Sequence, residues 1–165
     1  MRFSNAVSAL GLGALACCLT VGVAAAKPID KSAIEKTVKS EVAEQIAGIN
    51  AHDAGKATKW EAANIVSMEA GRPPAMSLKD DRAGIGMAMK MSPTWRLRLI
   101  DETVDVASAG DMAVYRSTYW QDSDDENHVA MTQKVNFVAG FKRQKDGAWM
   151  MAWSVVAAQE RPHRK

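Results

Sequence analysis

The chain changes texture at Ser92-Pro93, and that change limits the folds open to it. Before it, apolar residues recur at helical steps. After it, they alternate, as half-buried strands require. From Asp30 to Ala51, the residues Ala33, Ile34, Val38, Val42, Ile46 and Ile49 line one face of a long amphipathic helix, with Asp30 as its N-cap. His52-Asp53-Ala54-Gly55 ends it, and a second short helix is expected over Lys56–Glu61. Asn64–Glu69 reads as a short strand stopped by Gly71-Arg72-Pro73-Pro74. A third helix is expected from about Leu78 to Met91, beginning at Ser77 or Asp80 and weakened by Gly84 and Gly86.

Beyond Pro93, Trp95-Arg96-Leu97-Arg98-Leu99 alternates, the parity shifts at Ile100-Asp101, and Val104 and Val106 continue on the new parity. A β-bulge leaves that mark. Gly110-Asp111 turns into a strand over Met112–Gln121, and Asp122–Asn127 reads as an acidic loop. Strands over Val129–Gln144 and Ala148–Ala158 follow, joined by the hairpin signal Asp146-Gly147. Helices first and long antiparallel strands afterwards make an α+β fold, in which a curved, mostly antiparallel sheet wraps around the N-terminal helices. Such a sheet forms a cone, and a cone has an interior pocket, the usual place for a small ligand.

The N-terminus bounds the compartment. Arg2 precedes Ala6–Val23, a stretch without an ionised side chain, and Ala24-Ala25-Ala26 stands before Lys27-Pro28. Charged start, apolar stretch and small-residue cleavage site are a secretory signal in order, so residues 1–26 are read as a signal peptide and 27–165 as one periplasmic or secreted domain. A retained membrane anchor and a lipoprotein, through Cys17 or Cys18, are the competing readings; the glycines weaken a span, and Ala14 stands where a lipoprotein signal has Leu. Both cysteines fall inside the segment to be removed, so the remaining domain is held by its core alone. No stable membrane association is expected after cleavage.

Of 21 basic and 19 acidic side chains, only Arg2 precedes residue 27, which leaves 20 against 19. A near-neutral surface argues against nucleic acid as partner. The tail Arg161-Pro162-His163-Arg164-Lys165 reads as a solvated end. No Gly-rich phosphate loop and no G-x-S-x-G motif occurs, and no cofactor is expected. Met87, Met89 and Met91, with Met68 and Met76, have thioether spacing of the kind that takes Cu(I), but methionine is also ordinary core filler. His52, His128 and His163 are scattered, so no metal site is assigned.

Three segments carry a family resemblance: Ile49-Asn50-Ala51-His52-Asp53-Ala54-Gly55, Gly110-Asp111-Met112-Ala113-Val114-Tyr115, and Lys145-Asp146-Gly147-Ala148-Trp149. In order and spacing they resemble the nuclear transport factor 2-like superfamily, in its SnoaL-like and ketosteroid-isomerase-like branch. The resemblance implies a cone-shaped fold, a homodimer through the outer face of the sheet, and a pocket for a small organic ligand. It does not by itself confer activity. In ketosteroid isomerases a Tyr and a protonated Asp form the oxyanion hole and a second Asp moves the proton. An ungapped lineup puts Gln45, Ala139 and Met68 at those three positions, which removes that mechanism.

Glu69 beside Met68 is the carboxylate nearest the vacated base position and the candidate catalytic residue, unless strand parity turns it away. The same lineup aims Val114, Arg116, Thr118 and Trp120 into the pocket, where Arg116 would hold an anionic group; with the other parity, Tyr119 stands inside and Arg116 outside. Trp149 and Trp153 have same-face spacing and read as core or interface. The sequence therefore suggests an exported domain binding a small, largely apolar and possibly anionic molecule. An isomerase, cyclase or hydro-lyase with Glu69 as base, or a non-catalytic interaction module, are the alternatives.

Overall fold

In a computed structural model, residues 29–125 and 127–164 are described. The signal-peptide reading, with both cysteines, lies outside them. Helix α1 (Lys31–Asn50) starts where the Asp30 carboxylate accepts the Ala33 amide at 2.9 Å. Its inward stripe buries Val38, Val42 and Ile49, with Ile34 and Ile46 packed beside them. The second helix is shorter and earlier than expected: α2 is Ala54–Ala57, capped by Asp53, and strand β1 (Glu61–Glu69) already begins at Glu61. Asp53 outcompetes the propensity of the Lys56–Glu61 segment by capturing the Lys56 amide at 2.9 Å. Helix α3 (Leu78–Met91) starts at Ser77, with Asp80 and Asp81 in its first turn, where the helix dipole favours them.

The strands that follow are β2 (Arg96–Val106), β3 (Met112–Asp124), β4 (Ala130–Arg143), β5 (Trp149–Ala158) and the short β6 (His163–Arg164). They form an open, mixed sheet in the order β1-β5-β4-β3-β2, antiparallel except where β1 runs parallel to β5. The sheet wraps around the helices as the cone expected from the sequence. Two local expectations are corrected. Asp122, Ser123 and Asp124 belong to β3 rather than to a loop, because each pairs with β4, as Asp122 does with Thr132. The tail residues 161–164 are exposed, as a solvated end should be, while the backbone of β6 pairs with Met131 and Thr132 where β5 has run out. Trp149 and Trp153 do not share a face: Met151 pairs with Phe141 and Trp153 with Gly140, so the extra residue Ala152 turns Trp149 inward and Trp153 outward. Trp153 lies so close over Gly140 that a Cβ there would meet its ring at 2.2 Å.

Every inner element is divided in the same way. On β1 Ile65 is buried while Ser67 and Glu69 line a cavity; on β3 Ala113 and Tyr115 are buried while Tyr119, Gln121 and Ser123 line it. On β5 Trp149 and Met151 are buried, and Ser154 and Val156 line the cavity. One end of the cone is a solid core, and the other is hollow. On β2 and β5 the change falls at a bulge, at Ile100 and at Ala152, and bulges bend a strand and tighten its twist. The parity shift at Ile100 is the one read from the sequence.

Two contacts clamp α1 to this frame. Asn50 Nδ2 donates to the Leu97 carbonyl at 3.0 Å, and its Oδ1 accepts the Leu97 amide at 2.8 Å. At Gly48, a Cβ would lie 2.4 Å from the Ala57 nitrogen, so only glycine lets α2 cross there. Gly84, by contrast, has nothing within 4 Å of its would-be Cβ. Gly48→Ala is therefore expected to destabilise by about 1–3 kcal/mol through overpacking, whereas Gly84→Ala stabilises by up to about 1 kcal/mol through helix propensity. Urea unfolding midpoints should move in opposite directions; movement in the same direction contradicts the clamp.

Candidate functional site

The hollow end encloses a cavity of about 620 Å³. Val42, Gln45, Ile46 and Ile49 reach it from α1, at the spacing that puts them on one helical face. Asp81, Ile85 and Ala88 do the same from α3. The sheet contributes its inner-face residues from five strands, among them Leu97, Tyr119, Phe137 and Val156. Trp95, Ser92, Arg72, Asp125 and His128 complete the wall from connecting segments. Apolar walls with a few polar groups converging on them are the usual form of a small-molecule site, and the volume falls within the customary range of about 300–1,000 Å³.

The expected site residues divide by face. Gln45 and Glu69 line the cavity. Met68 does not: it is one residue from Glu69 on a strand and is exposed on the other side. Val114, Arg116, Thr118 and Trp120 lie on the outer face of β3, and Ala113, Tyr115, Ser117 and Tyr119 on the inner one, the reverse of the parity the lineup implied. Arg116 is exposed and paired with Asp105 across β2, with Thr103 Oγ1 at 3.4 Å. Trp120 carries the Lys134 ammonium 4.9 Å from its ring centre. Ala139 points inward but is fully buried in the solid end, level with Tyr115 and Ser154. An ungapped lineup from the Asn50–Asp53 motif spans four connections before β3, and a one-residue difference in any of them reverses every side chain. The charge of Arg116 was the readable sign, since arginine is mostly found at the surface.

Four kinds of polar group face the cavity. Tyr119 is 5% exposed, stacks at a tilt on Phe137 with centroids 6.1 Å apart, and has no hydrogen-bond partner for its hydroxyl among the described residues. Burial, then the fields of Tyr115 and Glu69, push its pKa upward, so it stays a neutral donor. Glu69 is bound to Arg72 at 3.1 Å. Burial would raise Asp124, but hydrogen bonds from Thr94 and Ser92 and the charge of His128 prevail and lower its pKa. Finally, Asp81 sits against Glu61, whose side chain is almost wholly buried. Burial first, and Asp81 second, push Glu61 up to about 9, against the weaker opposing charge of Arg82. Glu61 is thus a carboxylic acid at neutral pH, hydrogen-bonded to the Asp81 carboxylate.

Asp81 and Glu61 were missed in the sequence because one fell within a helix start and the other within the helix expected over Lys56–Glu61. The spacing Asp81, Ile85, Ala88 was the available signal. Among the described residues no group of three His, Cys, Asp or Glu side chains is placed to hold a metal ion.

No family model matches the chain, and no curated protein matches it in sequence. Solved structures do match in shape. A nuclear transport factor 2-like protein of unknown function from Pseudomonas putida KT2440 superposes with a TM-score of 0.65 at 20% identity, over 79% of this chain and 89% of its own. The chain has the nuclear transport factor 2-like fold. Hexachlorocyclohexane dehydrochlorinase LinA-type3 from Novosphingobium barchaimii LL02 gives a TM-score of 0.73 at 11% identity, over 81% and 92% of the two chains. A ketosteroid isomerase-like protein from Erwinia carotovora atroseptica SCRI1043 gives 0.66 at 13% identity, over 76% and 96%. Within this nuclear transport factor 2-like fold the cavity lies between the inner sheet face and the helices.

The Glu61–Asp81 pair has a measurable consequence. A group that keeps its proton to about pH 9 when folded, but releases it near 4.5 when unfolded, makes stability fall as pH rises between those values. Glu41, raised to about 7 by burial and by Glu44, adds the same slope up to that pH, so the window from 7 to 9 isolates Glu61. Glu61→Gln keeps a donor toward Asp81 and has no proton to lose. Chemical unfolding at pH 7, 8 and 9 should show the native protein losing stability and the variant holding level; parallel profiles contradict the assignment.

Proposed function

We propose that this is an exported domain whose cavity binds a small, largely apolar molecule. The cavity itself carries the reading: it is walled by Val42, Ile46, Ile49, Ile85, Leu97, Phe137 and Val156, together with Tyr119, whose hydroxyl has no partner among the described residues. Removing such a surface from water favours an apolar ligand by about 25 cal/mol per Å², and a phenol held by packing makes a hydrogen bond to a ligand at little cost in ordering. The expectation of an anionic ligand rested on Arg116, which is on the outer face; Arg72, paired with Glu69, and Lys90 are the cations that line the cavity. On the outer face Val114 and Trp153 flank Gly140 on neighbouring strands, with Val138 two residues along β4, which supports a homodimer through that face. Export follows from the N-terminal pattern Arg2, Ala6–Val23, Ala24-Ala25-Ala26.

A second reading is favoured by one observation. Glu69 lines the same cavity as Tyr119, near enough for its charge to act on the phenol. Glu69 would take a proton from a carbon beside a carbonyl while Tyr119 donates to that carbonyl, the chemistry of an isomerase or hydro-lyase. The contact with Arg72 at 3.1 Å opposes it, because that ion pair must open before the carboxylate can reach a carbon-bound proton.

Cyclic hydrocarbons, ketones and alcohols should raise the melting temperature of the purified protein by several degrees at saturation, and Ala88→Trp, which fills the cavity, should abolish the rise. Conversion of a ketone that stops in Glu69→Gln would move the protein to the second reading. No shift with any compound contradicts both.

A further inference from the structure

On the sheet side of the cavity the carboxylates are already committed within the protein. Glu69 holds Arg72 at 3.1 Å, Asp124 accepts the Thr94 amide at 3.2 Å, and Asp125 accepts the amides of Asn127 and Val129 at 2.8 and 2.9 Å. The neutral polar groups there are not committed. Along β3, Tyr119, Gln121 and Ser123 follow one another on the inner face and line the cavity, at the two-residue strand spacing of about 6.5 Å. None of these three side chains has a hydrogen-bond partner among the described residues. Gln45, which reaches the same space from α1, has none either. The hydrogen-bonding capacity left open between sheet and α1 is therefore neutral, and two separate elements each supply a carboxamide to it.

Gln121 is the more firmly placed of the two. Its strand lies between β2 and β4, where Gln121 is paired with Leu97 on one side and Gln133 on the other. Leu97 is held in turn by Asn50 at both its amide and its carbonyl. No hydrogen bond joins the side chains of Gln121 and Gln133. A carboxamide presents an acceptor and a donor side by side in one plane. A ketone or an ester engages the donor alone and leaves Oε1 without a partner once water is displaced, which is costly. An ammonium engages the acceptor alone, and a carboxylate meets the charges of Glu69, Asp124 and Asp125 as well. The group that matches both atoms at once carries N–H and C=O on one edge, in the reverse order.

We infer that the cavity's ligand carries a cyclic amide, a lactam or an imide, whose N–H donates to Gln121 Oε1 and whose carbonyl accepts from Gln121 Nε2. Its hydrocarbon part lies against Leu97 and the rings of Tyr119 and Phe137, which stand beside Gln121 on the inner face and stack on each other. The inference rests on the cavity reading and narrows it to a ligand class. Gln121 is the specificity-determining residue. A ring holds the amide in the cis form, so that both of its polar atoms face the carboxamide without any cost of ordering.

The test compares isoindolinone with indanone, two fused-ring compounds with the carbonyl beside the benzene ring that differ by an N–H in place of a methylene. Each is titrated calorimetrically into the native protein at neutral pH. The lactam should bind about five- to tenfold more tightly than the ketone, although burial of apolar surface alone favours the ketone. Gln121→Met keeps the length of the side chain, removes both polar atoms, and should erase that advantage. Equal or weaker binding of the lactam to the native protein overturns the amide inference while leaving the cavity reading standing, and that comparison needs no variant to fold. An advantage that survives in Gln121→Met assigns it to another group and overturns the role of Gln121. Binding by neither compound overturns the cavity reading, and this inference with it.

Discussion

The hold of α1 on the sheet is the constraint on which the remaining structure depends. Asn50 exchanges two hydrogen bonds with the backbone of Leu97, and Gly48 lets α2 pass at a distance no side chain would allow. His52, in a left-handed conformation at φ 55°, turns the chain out of α1 and brings its Nε2 within 3.1 Å of the Trp95 carbonyl. These contacts gather at the C-terminal end of α1, beside the residues that line the cavity. Core packing holds the other end, through Val38 against the group that includes Tyr115 and Phe141. Helix and sheet are therefore joined at both ends and leave space between them. A helix held only by its apolar stripe would be drawn into that space, because fully burying a side chain such as Ile46 stabilises by up to about 1.5–3 kcal/mol.

The polar groups of the cavity follow from the same geometry. Strand alternation brings Ser67, Glu69, Tyr119, Gln121 and Ser154 to the inner face at the hollow end, while the same parity at the solid end carries Ile65, Ala113, Tyr115 and Phe141. Polar residues on an inner face are costly where a core is filled and useful where it is not. Their confinement to the hollow end is consistent with a space meant to be occupied by something other than side chains. Glu61, Glu41 and Ser117 are exceptions, buried polar residues that do not line the cavity, and Glu61 is accommodated by keeping its proton beside Asp81.

Much of the fold was legible because it was written in periodicity. The α1 stripe, the Ile100 bulge, the Asp146-Gly147 hairpin and the order of helices before strands each followed from local pattern and turn chemistry. The motif Asn50-Ala51-His52-Asp53 carried the resemblance for a physical reason, since three of its four side chains hold the chain between α1, α2 and β2. What was not legible depended on counting across loops or on contacts between distant segments. The face of β3 was reversed because parity does not survive a one-residue difference in an upstream loop, so Arg116 was expected inside and Tyr119 was the residue found there. The pairing of β6 with β4 and of Glu61 with Asp81 joins residues far apart in sequence, and no local pattern announces either. Gln45 and Glu69 were found on the cavity wall, and Met68 and the outer residues of β3 were not.

The central claim is that the interior of the cone, and not its outer face, is where a small molecule is held. The most direct measurement is the set of intermolecular nuclear Overhauser effects between a bound apolar probe and the side chains of the protein. Contacts from the probe to the ring of Tyr119 and the methyl groups of Ile46 and Ile85 are the result this account predicts. Contacts confined to Trp120 and Trp153 on the outer face would contradict it.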